Sequence, residues 1–197
     1  MLTPYTIRYA YEQGVFPMAM EHGEIGWFQP RRRCLFPITG IHVSRSLTKR
    51  LRETEVVDPL STHKPDRAIR FTVKFNENYE AVMRGCLRPD DNWISEEIIQ
   101  AYTAIWAEGW GHCAEVYEGD DLVGGTYGVA IGKCFCAESM FHRVTDASKI
   151  ALWAMVEWCR LRDFKVFDAQ IMNPHLASLG AFEISHKEYL KRLEQAK

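Results

Sequence analysis

Alternating and helical spacings of apolar residues divide the second half of this chain into distinct elements. Between residues 112 and 138 three runs alternate apolar and polar positions, and turn signals at residues 118–121 and at Gly132 separate them. This pattern predicts an antiparallel meander of three strands. Residues 146–162 then carry apolar side chains at helical spacing, which predicts a helix with one buried face. That face comprises Ala147, Ile150, Ala151, Ala154, Met155, Trp158 and Leu161.

Residues typical of helix starts, helix ends and turns predict where the remaining helices and strands lie. Thr3 and Pro4 open a helix as its cap and first residue, and Gly14 suits its end. Ser95 and Ser185 are caps of two further helices, the second with a glutamate three residues later. The other predicted elements are helices over residues 45–53 and 76–84, strands over 68–75 and 165–170, and short strands with turns over 25–43.

Two prolines in a polar stretch mark a linker between two parts of the chain. The stretch is DPLSTHKPD, residues 58–66, which contains Pro59 and Pro65. A chain of 197 residues is long enough for one substantial domain with a small annex. We therefore predict a small N-terminal α/β domain over residues 1–62 and a main domain over residues 63–197.

Composition narrows the class of protein. The chain is 47% hydrophobic and 25% charged, which is typical of a globular protein and argues against a disordered one. It has neither a signal-peptide pattern at its start nor a run of about 18 apolar residues, so we expect a cytoplasmic protein without a membrane span. Its six cysteines are expected to be reduced thiols. Cys134 and Cys136 lack a second ligand pair at finger spacing, and the histidines are scattered, so no metal site is predicted.

Charge is unevenly distributed along the chain. The formal net charge is −2, yet residues 31–52 carry seven Lys or Arg and no Asp or Glu. Such a segment is a candidate surface for an anionic partner such as nucleic acid. An ordinary solvated cationic face would have the same composition, so both interpretations stay open at this point.

Polar residues follow two strands that the pattern places side by side. The strand, helix and strand over residues 133–170 predict a crossover that sets both strands parallel, with their carboxyl ends on one edge. Glu138 lies at the end of the first strand, and Asp168 and Gln170 at the end of the second. A carboxamide between two carboxylates suits a protonated amine. The alternative is that the two carboxylates cap the helices that follow them.

A series of motifs, in order, resembles one enzyme family over nearly the whole chain. The motifs are GVFP (14–17), WFQPRRR (27–33), HVSRSL (42–47), NWISEEIIQAY (92–102), LVGGTYGVAIGKCFCAESMF (122–141), ASK (147–149), DAQ (168–170) and ASLGA (177–181). They are similar to those of the leucyl/phenylalanyl-tRNA-protein transferases. The resemblance implies an α+β protein whose larger domain has a GNAT-like acetyltransferase fold. It also implies transfer of Leu or Phe from aminoacyl-tRNA to the N-terminal Arg or Lys of a protein, which marks that protein for degradation.

The resemblance also assigns catalytic roles. It implies that Gln170 engages the attacking α-amine, that Asp168 is its orienting partner and that Glu138 is the third member of the site. Because an α-amine has a pKa of about 7.7 to 8.0, part of it is neutral at pH 7 and no strong base is needed. We expect Gln170 to align the amine by accepting its hydrogen bond, with Asp168 polarising the carboxamide.

Substrate contacts follow from the same resemblance. Residues implied in the pocket for the aminoacyl ester and terminal adenosine are Trp93, Tyr102, Phe135 and Leu152. Three further pocket positions depart from the residues common in the family, and these are Met18, Thr126 and Met155. Arg45, Lys49 and Arg52 are implied to face the acceptor stem of the tRNA. A monomer without metal or diffusible cofactor is expected.

Two other functions compete with aminoacyl transfer. A CoA-dependent N-acyltransferase of the same fold needs a Gly-rich turn before the helix that follows the meander, and the sequence there is AESMFHRVTDASK, residues 137–149. A tRNA or peptide binder without catalysis is the third candidate, and the complete set of Glu138, Asp168 and Gln170 argues against it.

Overall fold

The computed structural model describes residues 2–21, 23–88 and 93–197, which form a mixed α+β structure, as predicted. Asn92, the first residue of one family motif, lies outside the described residues. The helices are α1 (Pro4–Glu12), α2 (Arg45–Leu51), α3 (Tyr79–Gly85), α4 (Glu96–Ala107), α5 (Ala147–Leu161), α6 (Pro174–Ser178) and α7 (His186–Ala196). The strands are β1 (Phe16–Ala19), β2 (Ile25–Phe28), β3 (Arg32–Phe36), β4 (Thr54–Val56), β5 (Phe71–Phe75), β6 (Gly111–Glu118), β7 (Asp121–Ile131), β8 (Cys134–His142), β9 (Val166–Gln170) and β10 (Phe182–Ser185).

A mixed sheet of eight strands forms the centre of the described structure. Its strand order is β10-β3-β9-β8-β7-β6-β5-β4, and β1 and β2 form a separate antiparallel pair. The meander predicted from the alternating runs is confirmed as β6, β7 and β8. The parallel arrangement predicted for the strands around α5 is also confirmed, because β8 and β9 pair in parallel.

Side-chain caps set where most helices begin. Thr3 forms a capping box with α1, and Ser95 and Ser185 accept the backbone N–H bonds of the third residues of α4 and α7, as predicted. The helix predicted over residues 76–84 begins three residues later than expected. The reason is that the Asn78 side chain accepts from the N–H of Ala81 and so acts as its cap.

Helices cover both faces of the sheet, with one core on each side. The face with α5 and α2 holds a core that includes Leu47, Leu51 and the buried side of α5. The opposite face holds the apolar side chains of α1, α3, α4 and α7, among them Tyr11 and Tyr189. The candidate site lies where β8 and β9 meet between these two layers.

The predicted division after residue 62 crosses this sheet. Strand β3 lies between β10 and β9, and β4 pairs in parallel with β5, so strands from both sides of the division hydrogen-bond to one another. The two-domain division stays a prediction, and separate folding of residues 63–197 would require replacement of those bonds. Within the described residues, no helix has the length and apolar character needed to cross a membrane.

Candidate active site

A cavity of about 240 Å³ opens at the ends of β8 and β9. Its wall includes residues from β1, β7, β8, α5 and β9. Six of the residues singled out in the sequence line it, and these are Met18, Trp93, Thr126, Glu138, Leu152 and Gln170. The other residues of the wall are Phe16, Phe36, Arg88, Ala137, Ser139, Met140, Ala169, Ile171, Asn173 and Leu176.

A break in strand register directs Glu138 into the cavity. Across β7 and β8, Gly128 pairs with Ala137 and Tyr127 pairs with Ser139, which leaves Glu138 as an extra residue. Such a bulge bends the strand and changes the direction of a side chain. Gly128 permits the close approach of the strands, because a Cβ there would collide with the carbonyl oxygen of Cys136.

A second irregularity positions Gln170. Strand β3 pairs Leu35 with Asp168 and Cys34 with Gln170, so Ala169 is the extra residue on β9. Gln170 itself has a φ of 60°, in the left-handed region that costs a residue with a side chain about 1–2 kcal/mol. One oxygen of Asp168 accepts a 2.8 Å hydrogen bond from the backbone N–H of Gln170. This bond contributes to holding the backbone in that conformation.

The side chains of Glu138 and Gln170 are joined in a partly buried hydrogen-bond network. Gln170 Nε2 donates to Glu138 Oε1 over 2.8 Å, and the Tyr11 hydroxyl donates to the same oxygen over 2.6 Å. The Tyr102 hydroxyl lies 2.8 Å from that of Tyr11. Because the amide nitrogen of Gln170 is bound to Glu138, the carbonyl oxygen is the end of the carboxamide that can accept a bond from a substrate.

Burial changes the titration of this network. It raises the pKa of Glu138 from 4.5 to about 7, although the hydrogen bonds from Tyr11 and Gln170 partly oppose the effect. The pKa values of Tyr11 and Tyr102 are also raised well above 10, chiefly by burial and next by the negative charge of Glu138. Both tyrosines are therefore neutral hydrogen-bond donors, and Glu138 can gain or lose a proton near pH 7.

The raised pKa of Glu138 predicts a pH-dependent stability. The folded protein keeps the proton of Glu138 up to about pH 7, whereas the unfolded chain loses it near pH 4.5. The free energy of unfolding should therefore fall by about 3 kcal/mol from this group as the pH rises through that window. Urea denaturation of the wild type and of Glu138→Gln at pH 4.5, 6 and 8 measures the difference. Parallel pH profiles of the two proteins would contradict the raised pKa.

Asp168 lies behind the cavity wall and has a different set of partners from the one expected. Its carboxylate is fully buried and accepts bonds of 2.6–2.9 Å from Arg33 and one of 3.0 Å from the Tyr189 hydroxyl. The expectation that Asp168 polarises the carboxamide is wrong, because Asp168 bonds the backbone N–H of Gln170 and Glu138 bonds its amide nitrogen.

The alternative that the two carboxylates cap helices is also wrong. Helix α5 begins after Asp146, and α6 begins after Asn173, whose side chain accepts from the N–H of Leu176. Glu138 lies within β8, which continues to His142. Neither Glu138 nor Asp168 is therefore next to the start of a helix.

Three of the implied pocket residues lie behind the wall. Tyr102 is fully buried, with its hydroxyl 3.5 Å from Glu138 Oε2. Phe135 packs against Phe167 in the core beneath α5, and Met155 is buried in the same core. Tyr102 belongs to the core on one face of the sheet and Phe135 and Met155 to the core on the other, so their influence on the cavity is indirect.

The three cations implied to contact tRNA differ in their surroundings. Arg45 and Lys49 are exposed on α2, whose Leu47 and Leu51 are buried against the rest of the protein. Arg52 follows the helix and forms an ion pair of 2.8 Å with Asp66. Part of its charge is therefore already neutralised.

Residues of the site that were missed come from distant parts of the chain. Tyr11 lies on the apolar face of α1 and Arg33 lies in the basic segment, so local patterns indicate core and surface respectively. Neither position carries a local signal of its contact with Glu138 or Asp168, which are 127 and 135 residues away.

The described residues contain no cluster of side chains suited to a metal ion. In the described parts of the chain, no three His, Cys, Asp or Glu side chains come together in a way that could hold a metal ion. All six cysteines are buried and unpaired.

Comparisons with known proteins agree on one family. A family model described as leucyl/phenylalanyl-tRNA protein transferase matches residues 35–194, and the model of that family's N-terminal domain matches residues 1–31. A leucyl/phenylalanyl-tRNA–protein transferase from Cereibacter sphaeroides is 44% identical over 197 residues, which is 99% of this chain and 85% of that protein. Proteins of the same name from Roseobacter denitrificans and Rubrobacter xylanophilus are 42% and 38% identical, over 99% of this chain and 87% and 95% of theirs.

A solved structure of a conserved protein of unknown function from Staphylococcus epidermidis is similar to part of this chain, with a TM-score of 0.44 and 12% identity over 78% of this chain and 57% of that one. A similarity at this level assigns neither fold nor function.

Proposed function

The chain belongs to the leucyl/phenylalanyl-tRNA–protein transferase family, and from this membership we propose that its cavity transfers Leu or Phe from aminoacyl-tRNA to the N-terminal amine of a protein. The chain is accordingly an aminoacyltransferase. The observation that carries the assignment to this cavity is the pair of Glu138 and Gln170, which face it from two adjacent parallel strands. The proposed acceptor begins with Arg or Lys, and the added residue marks it for degradation. The proposed compartment is the cytoplasm, where aminoacyl-tRNA is available.

The proposed reaction is an attack of the acceptor amine on the aminoacyl ester. The amine nitrogen forms a bond to the ester carbonyl carbon, the bond from that carbon to the ribose oxygen breaks, and an amide results. The amine loses one proton and the ribose oxygen gains one. Because the ester is already reactive, alignment of the two substrates supplies a large part of the acceleration.

Glu138 and Gln170 divide this work in the proposed mechanism. The carbonyl oxygen of Gln170 accepts one N–H of the amine and so directs the nitrogen lone pair toward the ester. Glu138, with a pKa of about 7, takes the proton that the amine loses and returns it to the ribose oxygen. Gln170 is a very weak base, so the carboxylate is the better proton acceptor of the two.

The finer description of the fold is a proposal as well. We propose that the larger part of the chain is GNAT-like, because an antiparallel meander leads into a parallel strand, helix and strand. The start of α5 supports aminoacyl transfer over CoA-dependent transfer. Asp146 precedes that helix and pairs with Lys149 over 2.7 Å, so a carboxylate stands where a pyrophosphate would need donors.

A transfer assay tests the proposed function. The protein is incubated with radiolabelled Leu-tRNA or Phe-tRNA and with peptides that begin with Arg, Lys, Asp or Glu. We expect label in the peptides that begin with Arg and Lys. A protein that leaves all peptides unlabelled, and whose melting temperature rises with CoA, would instead be an N-acyltransferase.

The exposed cations of α2 give a prediction for tRNA binding. Charge reversal at Arg45 and Lys49 should weaken binding of all tRNAs alike and lower the dependence of log K on log salt by about one for each phosphate contact removed. Arg52→Glu should have a smaller effect, since Asp66 already pairs with this residue. Filter binding at several salt concentrations measures both quantities, with Arg192→Glu on α7 as the control. An unchanged salt dependence would show that α2 does not contact phosphates.

A further inference from the structure

Arg33 is a fully buried cation near the start of residues 31–52, the segment that is richest in positive charge. It lies on β3 with none of its surface exposed. Its guanidinium carbon lies 4.4 Å from the centre of the Tyr189 ring and 5.0 Å from the centre of the Phe16 ring. No phosphate can reach this side chain, so it does not belong to the basic surface predicted from the sequence.

All three nitrogens of the Arg33 guanidinium make polar contacts. Nε lies 2.9 Å from each oxygen of Asp168, Nη2 donates to one of them over 2.6 Å, and Nη1 donates to the carbonyl oxygen of Gly14 over 3.0 Å. Removal of two charges from water is costly, and a buried ion pair adds little net stability compared with apolar residues of the same size. A gain in stability therefore does not explain why Arg33 and Asp168 are paired at this position.

The contacts of Asp168 supply that explanation. Oδ1, which lies 2.9 Å from Arg33 Nε, also accepts the backbone N–H of Gln170 over 2.8 Å. The other oxygen is held by Arg33 and by the hydroxyl of Tyr189. With both oxygens fixed, the carboxylate can rotate in neither direction, and the N–H of Gln170 keeps its acceptor.

We propose that Arg33 is a positioning residue, which, through Asp168, holds Gln170 in the left-handed conformation that presents its carboxamide to the cavity. This inference rests on the proposed function for its effect on transfer, but its structural part stands on the contacts alone. It also gives the N-terminal segment a role in the site, because Arg33 is tied to Gly14 and Phe16 as well as to β9. Tyr189 gives α7 a similar role.

Arg33→Lys is the most informative variant. Lysine keeps the charge but cannot bond both carboxylate oxygens in a planar fork. We expect kcat for transfer to fall about 10²-fold, because small displacements of an aligning group have effects of that size, while KM for aminoacyl-tRNA stays within about twofold. Arg162→Met is the matched control. It breaks another bidentate Arg–Asp pair, with Asp58 at 2.7 and 3.0 Å, that does not line the cavity, and kcat should be unchanged.

Amide hydrogen exchange gives a readout that does not depend on activity. The N–H of Gln170 should exchange about tenfold or more faster in Arg33→Lys than in the wild type or in Arg162→Met. If Arg33→Lys does not fold, Tyr189→Phe, which removes one bond to Asp168, should show the same two changes to a smaller degree. Unchanged kcat together with unchanged exchange of Gln170 in a folded variant would overturn the proposal. An inactive wild type with the expected exchange pattern would instead contradict the proposed function and leave the positioning role supported.

Discussion

The Glu138→Gln variant is expected to transfer Leu or Phe about 10²- to 10⁴-fold more slowly than the wild type at pH 8, the range typical for loss of a proton-transferring group. Glutamine is close to glutamate in shape, and its carbonyl oxygen can still accept from Gln170 and Tyr11, which bond Glu138 over 2.8 and 2.6 Å. The variant therefore keeps the network and loses the proton acceptor. Single-turnover transfer from Phe-tRNA to a peptide that begins with Arg measures the loss.

The pH profile of the same reaction separates proton transfer from alignment. In the wild type the rate should rise with pH through an apparent pKa near 7, because Glu138 accepts a proton only in its ionised form. The rise that comes from the acceptor amine itself, at about pH 8, should remain in Glu138→Gln, while the one near pH 7 disappears. A variant that keeps the rise near pH 7 would assign it to another group.

The Gln170→Ala variant is expected to lose about 10²-fold in rate, because the attacking amine would no longer be aligned with the ester. The pKa of the remaining Glu138 should rise further, since the hydrogen bond from Gln170 favours its charged form. The apparent pKa of transfer should thus move above 7 while the rate falls. The control is Gln29→Ala, which removes an exposed carboxamide that bonds His186.

The Gln170→Glu variant also tests whether Gln170 aligns the amine, because it places a base at this position. A carboxylate at this position would face Glu138 without a donor between them, so we expect a slower reaction. A rate that increases, with a new apparent pKa of about 4 to 5, would mean that position 170 works as a base and not as an aligning group.

Local patterns predicted the elements that bring the site together. The alternation along β6, β7 and β8 and the helical spacing of α5 are properties of short segments, and both were confirmed. A parallel pair around a helix then follows from chain connectivity. This was enough to place Glu138 and Gln170 on neighbouring strands.

The details of the site depend on pairing between strands, which a sequence pattern does not specify. The bulges at Glu138 and Ala169 arise from register shifts against β7 and β3. Residues two apart share a face only in a regular strand, and β9 is irregular at Ala169. The expected action of Asp168 on the carboxamide is replaced in the structure by a bond to the backbone N–H of Gln170.

The number of cations in a segment likewise does not show which of them are exposed, as Arg33 illustrates. Seven cations in residues 31–52 look alike in the sequence, yet Arg33 is fully buried and Arg45 is exposed. The difference arises because β3 enters the sheet between β10 and β9, where Arg33 meets Asp168. Long-range packing of this kind decides which members of a basic segment can contact an anion.

The position of the ester in the cavity is the most direct test of the proposed site. A crystal structure of the protein with an amide analogue of the aminoacylated 3′ end of tRNA locates the carbonyl carbon that the amine attacks. We predict that this carbon lies in the cavity beside Glu138 and Gln170, with room for a nitrogen about 3–3.5 Å from it that also reaches the carbonyl oxygen of Gln170. An analogue bound with its carbonyl carbon outside this cavity would contradict the account.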